Sequence, residues 1–334
     1  MPFFTANDIP HNQGYHSRSP HNHHRLTNRL HTILLLGGMI ALLAACGWII
    51  GGPEGGLWAL VLGGVSLAFA PRMSPQMVLG LYGAVPVRPW DLPNIVNVLN
   101  ELSERAGLEK PPQLYWIPSP TLNAFAMGRR GDAAIAVTDG MIRTLSLREL
   151  AGVLGHEITH IRNGDLWLMG LADTVSRLTR MMSLFGQILL LFNLPLLLTG
   201  AVTIPWVLIL LLVLAPTVGA LLQLALSRTR EYDADLGGAL LTGDPMALAG
   251  ALRKLEHYGR GLWESLLMPN RRNPNPSLLR THPPTEERIR RLAALSGQLG
   301  PDRIVPADGG HAHSSGRFRA VQARPRHRLT GLWY

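Results

Sequence analysis

The sequence predicts a mostly helical α+β domain carried on two transmembrane helical hairpins. Three observations lead there. Two pairs of long apolar runs carry almost no charge, the stretch between the pairs has the composition of a soluble domain with short strand-like segments and a capped helix, and a further helical stretch follows the second pair. Hydrophobic residues make up 47% of the chain and charged residues only 16%, where an ordinary soluble domain has roughly 25% charged. Part of the chain therefore belongs in lipid.

The formal net charge of +9 is almost wholly arginine, since Lys110 and Lys254 are the only lysines. Much of that charge sits in the tails and at the edges of apolar runs rather than among aromatics, which argues against a nucleic-acid partner. The arginine bias points to a GC-rich, bacterial genome. A lone Cys46, inside an apolar run, excludes an intramolecular disulfide and a multi-thiolate metal site.

Taken in order, residues 1–31 are rich in His, Asn and Pro without an apolar period and read as a disordered tail, in which His21, His23 and His24 have no fixed geometry for a metal. Residues 32–70 hold the first hairpin: Thr32 to Ile50 is uncharged over a length that fits the ~20 residues of a bilayer span, and after the turn Gly51 to Gly56 a shorter run reaches Ala70.

Residues 71–180 form the first part of the soluble domain. Asp91 to Ala106 has a helical pattern, Gln113 to Ile117 has a strand's residues, and Asn123 to Met127 with Ala133 to Thr138 reads as a β-hairpin. Ser146-Leu-Arg-Glu149 is a capping box that opens a further helix.

Residues 181–227 form the second hairpin, with no charged residue from Met181 to Ser227, breaks at Pro195, Gly200 and Pro205, and a kink expected at Pro216. Buried core helices are the other reading of such runs, but the chain has too little further protein to wrap them. Residues 228–297 complete the soluble domain, with Asp244-Pro245 starting a helix to about Tyr258 and Pro283-Pro284 starting another through Leu295. Residues 298–334 are Arg, Pro, Gly and His without pattern and read as a second disordered tail.

Arginines flank the outer ends of both hairpins: Arg18, Arg25 and Arg29, then Arg72, then Arg177 and Arg180, then Arg228 and Arg230. The two turns carry none. By the positive-inside rule, both tails and everything between the hairpins face the cytoplasm of a bacterial inner membrane.

The helix opened by the capping box contains Gly155-His-Glu-Ile-Thr-His160. Positions i and i+4 project from one face, so His156 and His160 can aim imidazole nitrogens at one zinc ion, while Glu157 is displaced around the helix and can take a proton from water. Two surface histidines on a solvated face are the bland alternative, weakened by the apolar side made by Leu150, Val153, Leu154, Ile158 and Ile161. A catalytic zinc needs a third protein ligand. Glu231 is the strongest candidate, in Ser227-Arg-Thr-Arg-Glu-Tyr-Asp-Ala-Asp235, where Asp235 lies four residues on and can accept the outer N–H of a ligand histidine; an acidic surface patch is the other reading of this cluster.

Gly155-His-Glu-Ile-Thr-His160, an apolar hairpin, Glu231-Tyr-Asp-Ala-Asp235 and Thr281-His-Pro-Pro-Thr-Glu-Glu-Arg288 together resemble the integral-membrane zinc metallopeptidases of the HtpX group. These are gluzincins, relatives of the CAAX-prenyl endopeptidases. The resemblance runs from about Thr32 to Leu295 in one order and implies a zincin-type catalytic domain with one zinc ion per chain. It implies His156, His160 and Glu231 as zinc ligands, Glu157 as catalytic base, and Asp235 as the partner of a ligand histidine. It also implies that Asn123, Ala124, Phe125 and Ala126 form an edge strand receiving extended substrate, where spacing alone gives a plain edge strand. His282 matches a position that stabilises the oxyanion, or it only caps the helix opened by Pro283 and Pro284. His257 reads as a surface residue.

The expected activity is zinc-dependent endoproteolysis of misfolded or damaged membrane proteins, in quality control and stress response, with unfolded or membrane proteins and the bilayer as partners. A non-catalytic zinc-containing scaffold and a prenyl-protein-processing endopeptidase are the alternatives. The first wants a fourth ligand, and the second wants more membrane helices than four.

Overall fold

The computed structural model describes residues 21–69, 79–80, 82–200, 206–267, 284–296 and 304. The first apolar run contains its own reversal. Helix α1 (His21–Phe69) leaves helical geometry at Gly51 and Gly52, and Gly52 takes a φ of 62° that an L side chain rarely adopts. Its two arms then run side by side with almost nothing between them: a Cβ added at Gly47 would lie 2.5 Å from the Gly55 carbonyl oxygen, and one at Gly63 would lie 3.2 Å from the Leu43 side chain. Small residues at such crossings let apolar helices approach closely where water supplies no drive.

The other two apolar helices are α5 (Asp165–Phe192) and α7 (Trp206–Thr242). With α1 they form a bundle whose core includes Met39, Leu43, Ala172, Val175 and Leu226, and, further along, Leu42, Cys46 and Ala215. Ser183 on α5 donates its hydroxyl to the Leu212 carbonyl of α7 at 2.6 Å, satisfying a polar group that lipid cannot. Within α1, α5 and α7 lie three segments long and apolar enough to cross a membrane: Leu30–Val65, Asp165–Phe192 and Ile209–Thr242. Their outward faces carry exposed Leu, Ile, Val and Phe along most of their length.

Apart from the short helix Leu194–Leu198 that follows α5, the rest of the described chain packs at one end of this bundle. After β1 (Val85–Pro86) comes α2 (Pro93–Arg105), which opens on proline and turns Ile95, Leu99 and Leu102 inward. Strands β2 (Gln113–Ile117), β3 (Ala124–Arg129) and β4 (Asp132–Thr138) complete a mixed sheet of order β1-β2-β4-β3. β2 runs parallel to β4, β1 and β3 are antiparallel to their neighbours, and β3 is the outer strand. After the short α3 (Asp139–Thr144), helix α4 (Leu147–Asn163) lays Leu150, Leu154 and Ile158 against Ile135 and Val137 of the sheet and against α2. The remaining helices among the described residues are α6 (Leu194–Leu198), α8 (Pro245–Leu267) and α9 (Thr285–Ser296).

Several boundaries differ from the sequence reading. Helix α1 begins at His21, inside the stretch expected to be disordered through residue 31, because each residue added to an existing helix gains a hydrogen bond without the cost of nucleation. No break separates residues 180 and 181: α5 runs through them from Asp165, and its charges are accommodated as surface pairs such as Asp173 with Arg177 at 2.7 Å. Strand β3 extends to Arg129, and α8 continues past Tyr258 to Leu267. Within the expected second tail, the Ile304 N–H donates to the Thr242 carbonyl at the end of α7, and Ile304 packs on the core. The remainder of that tail lies outside the described residues.

Candidate metal centre

Helix α4 is fixed at both ends. Ser146 accepts the Glu149 N–H while Glu149 accepts that of Ser146 at 2.8 Å, and Gly164 ends the helix in the left-handed conformation at φ 74°. Two neighbours cross it with unusual closeness. A Cβ on Gly152 would come within 2.8 Å of the Leu248 nitrogen on α8, and one on Gly238 within 2.8 Å of the His156 nitrogen. Glu231, Asp235 and Gly238 share one face of α7 at i, i+4 and i+7. The glycine crossing therefore presses the two carboxylates against the histidines of α4.

His156 Nε2 and His160 Nε2 face each other at 3.1 Å, with their rings nearly perpendicular. One Glu231 carboxylate oxygen lies 3.6 Å from the first nitrogen and the other 3.6 Å from the second. One donor atom from each residue can be chosen so that all three lie within 4.8 Å of one another. A tetrahedral ion with bonds of about 2.1 Å spaces its ligands roughly 3.4 Å apart, so the set fits zinc.

The outer nitrogens argue the same way. His156 Nδ1 is 3.0 Å from Asp235, and His160 Nδ1 is 2.9 Å from Asp165. Asp165 is hydrogen-bonded to the outer nitrogen of His160 and Asp235 lies at ion-pair distance from that of His156, an arrangement that favours a proton on each outer nitrogen and leaves the inner lone pairs for a cation. Two such lone pairs repel unless a proton or metal lies between them. Burial opposes charging His160, yet the Asp165 and Glu231 carboxylates outweigh it and push its pKa up to about 10.

Arg288 on α9 closes the far side. Its guanidinium grips Asp235 with two nitrogens, and its third lies 3.2 Å from Glu231. All three side chains are buried, with Glu231 6%, Asp235 4% and Arg288 5% exposed. Burial would raise the Asp235 pKa, but the guanidinium and the His156 ring hold it below the usual carboxylate value. On the other flank, Arg230 approaches Asp165 at 3.5 Å and donates to the Thr32 hydroxyl of α1 at 2.7 Å. A chain of two hydrogen bonds and one ion pair thus joins the first apolar helix to His160.

Glu157 stands beside the donor set, and its carboxylate accepts the Ala126 backbone N–H at 2.8 Å. This bond fixes the orientation of β3. Asn123 exchanges its backbone bonds with Thr138 on the β4 side, so by alternation Ala124 and Ala126 turn theirs outward, toward α4. Phe125 packs on the sheet's other face near Tyr82, ring centres 5.8 Å apart. The unpaired edge of the sheet faces the metal centre.

The sequence pattern of peptidase family M48 matches residues 89–296. The chain belongs to peptidase family M48. Among its relatives, a "Protease HtpX homolog" of Arthrobacter sp. (strain FB24) is 36% identical over 300 residues, spanning 83% of this chain and 98% of the relative. Another from Paraburkholderia phytofirmans is 36% identical over 287 residues, spanning 80% and 97%. The crystal structure of S. mikatae Ste24p aligns with a TM-score of 0.41 and 19% identity, over 81% of this chain and 66% of that one. The M48 chain is a membrane-bound metalloprotease, and the family implies a metal cofactor, typically zinc.

Of the site residues read from the M48 sequence, His156, Glu157, His160, Glu231 and Asp235 come together here, and Asn123 to Ala126 lie at the sheet edge beside them. Asp233 turns aside toward Arg230 at 3.6 Å, and His257 is exposed. His282 lies outside the described residues. Sequence reasoning missed Asp165, Arg230 and Arg288. The first follows the Gly164 cap and looks like an ordinary helix start; the other two resemble the many surface arginines of this chain, and only the third dimension separates them.

Proposed function

We propose that this protein is a multi-pass zinc endopeptidase of the bacterial inner membrane. It binds one zinc ion per chain through His156, His160 and Glu231 and hydrolyses peptide bonds of misfolded or damaged membrane proteins on the cytoplasmic side. The observation that carries this is the convergence of those three donors, with Glu157 next to them and the open edge of β3 in front. Zinc bound there would supply Lewis acidity, polarising a carbonyl and lowering the pKa of water to about 7.

The chain's own residues do the remainder. An unfolded segment pairs with the outward backbone groups of Ala124 and Ala126 and lies extended across the site. Glu157 takes a proton from the water that attacks the carbonyl carbon and returns it to the nitrogen as the C–N bond breaks. Asp235 and Asp165 hold the two imidazoles in one tautomer throughout. His282, just ahead of α9 in the sequence, is the proposed donor to the oxyanion. Both apolar pairs cross the bilayer as hairpins, with the turns at Gly51–Gly52 and near Gly200 outside the cytoplasm. Exposed Trp48, Trp58 and Trp206 near those turns, and Trp167 at the opposite end of α5, support this placement as interfacial aromatics.

Glu157→Gln tests the reading. The purified variant should retain about one zinc per chain and lose cleavage of unfolded casein by at least roughly a thousandfold. Casein cleavage at the wild-type rate in the zinc-loaded variant would leave a zinc-containing scaffold as the better description.

A further inference from the structure

Two elements leave Glu157 in the same direction. On α4, Ile161 follows it by one turn, and on β3, Gly128 follows Ala126 by two residues. Between them opens a cavity of about 330 Å³, walled by Gly128, Arg129, Arg130, Ile161, Gly164, Leu166 and Trp167. That is the low end of the roughly 300–1,000 Å³ of small-ligand sites, room for one large side chain. The cavity lies roughly 7 Å of extended chain from Ala126.

We infer that this cavity is a specificity subsite for one large apolar side chain of the polypeptide being cut. The inference rests on the reading that β3 receives the substrate. Ile161, Leu166 and Trp167 supply apolar walls. Arg130 does not offer its guanidinium to the cavity's occupant: Nε donates to the Arg162 carbonyl at 2.9 Å, tying the β3–β4 turn to the end of α4. The Arg130 guanidinium is thus anchored at this end of the cleft, exposed Arg129 stands at the rim, and most of the surface lining the cavity is apolar. Trp167 is 51% exposed at the start of α5, where that helix heads into its apolar stretch. A ring that is half wet and half buried marks the membrane boundary. The subsite is placed where a segment drawn out of the bilayer, rich in Leu, Met and Phe, first meets the cleft.

Exposed Arg129 makes a lipid phosphate the competing occupant, and one experiment separates the two. The full-length, zinc-loaded protein in detergent digests an unfolded polypeptide, and the cut sites are mapped by mass spectrometry. Wild type should enrich Leu, Met, Phe or Trp at one fixed position within about three residues of the cut. Trp167→Ala should flatten that enrichment about tenfold, and Leu166→Trp, which fills the cavity, should shift it toward Gly, Ala and Ser. Unchanged cut-site profiles in both variants, with cleavage retained, overturn the subsite. So does an unchanged profile accompanied by altered dependence on anionic vesicles, which assigns the cavity to a headgroup. A wild-type enzyme that cuts nothing sinks the proposed peptidase activity and the subsite with it, and is told apart by the absence of any profile.

Discussion

Arg288 holds Asp235 in a two-pronged grip, with Nε to Oδ2 at 2.7 Å and Nη2 to Oδ1 at 2.6 Å. Its remaining nitrogen lies 3.2 Å from the proposed ligand Glu231. One buried cation thus sets two carboxylates, and through Asp235 it sets the His156 ring. Planar, two-pronged recognition is what a guanidinium does and an ammonium cannot.

Removing it leaves two buried carboxylates facing each other. Arg288→Ala should cost about 3–5 kcal/mol of stability, and Arg288→Lys should recover only part of it. Thermal unfolding in detergent measures both; a lysine variant as stable as wild type would show that the fork geometry is unimportant.

Asp165 orients His160 from the other side at 2.9 Å. Asp165→Asn keeps the shape and loses the charge, and it should weaken zinc binding about 10–100-fold in competition with a chromophoric chelator. Unchanged affinity would mean that His160 finds its tautomer without help.

The contact between α4 and α7 depends on glycine. Gly238→Ala places a methyl 2.8 Å from the His156 backbone nitrogen, with no flexible side chain to yield. The helices must separate, at a cost of about 1–3 kcal/mol, and Glu231 moves with α7. Lowered melting temperature together with lowered zinc affinity is the expected result; a variant with both intact would place the crossing elsewhere.

The Ser146–Glu149 cap should show in the acid limb of stability. Burial raises the Glu149 pKa, but the Lys254 ammonium and the Ser146 N–H and hydroxyl outweigh it and hold the carboxyl below its ordinary 4.5. A depressed folded-state pKa contributes stability that is present above the unfolded value and lost as pH falls through the folded one. The gap in melting temperature between wild type and Glu149→Gln should therefore be widest near neutral pH and narrow below about pH 4.5. A gap that stays constant down to pH 3 would contradict this.

Topology has its own measurement. Reporters fused near Gly52 and near Gly200 should both report the side opposite the cytoplasm, while one fused after Thr242 should report the cytoplasm. A cytoplasmic signal near Gly200 would remove the second hairpin.

What was legible in the sequence was local. The i, i+4 spacing of His156 and His160, the Ser146 cap, the β3–β4 hairpin and the uncharged runs each follow from chain periodicity over a dozen or so residues. The length of α5 was hidden because Asp173, Arg177 and Arg180 mimic the edge of a soluble domain, although their pairing on an exposed face lets the helix continue. The parts that Asp165, Arg230 and Arg288 play at the site were not legible. Their roles are contacts with His160, Thr32 and Asp235, the last two across 198 and 53 residues, and no local pattern encodes such partners.

The order of these parts along the chain has a consequence for biosynthesis. Translation delivers His156, Glu157 and His160 first, then the apolar stretches of α5 and α7, then Glu231 in the last third of α7, and last Arg288. Until both helices have been made and α7 has docked on α4, the nascent protein holds two imidazoles without their carboxylate and a base without a completed centre. For the proposed centre, hydrolytic competence is therefore a late event, one that waits on the last of these elements and would keep the half-made chain from cutting its neighbours or itself.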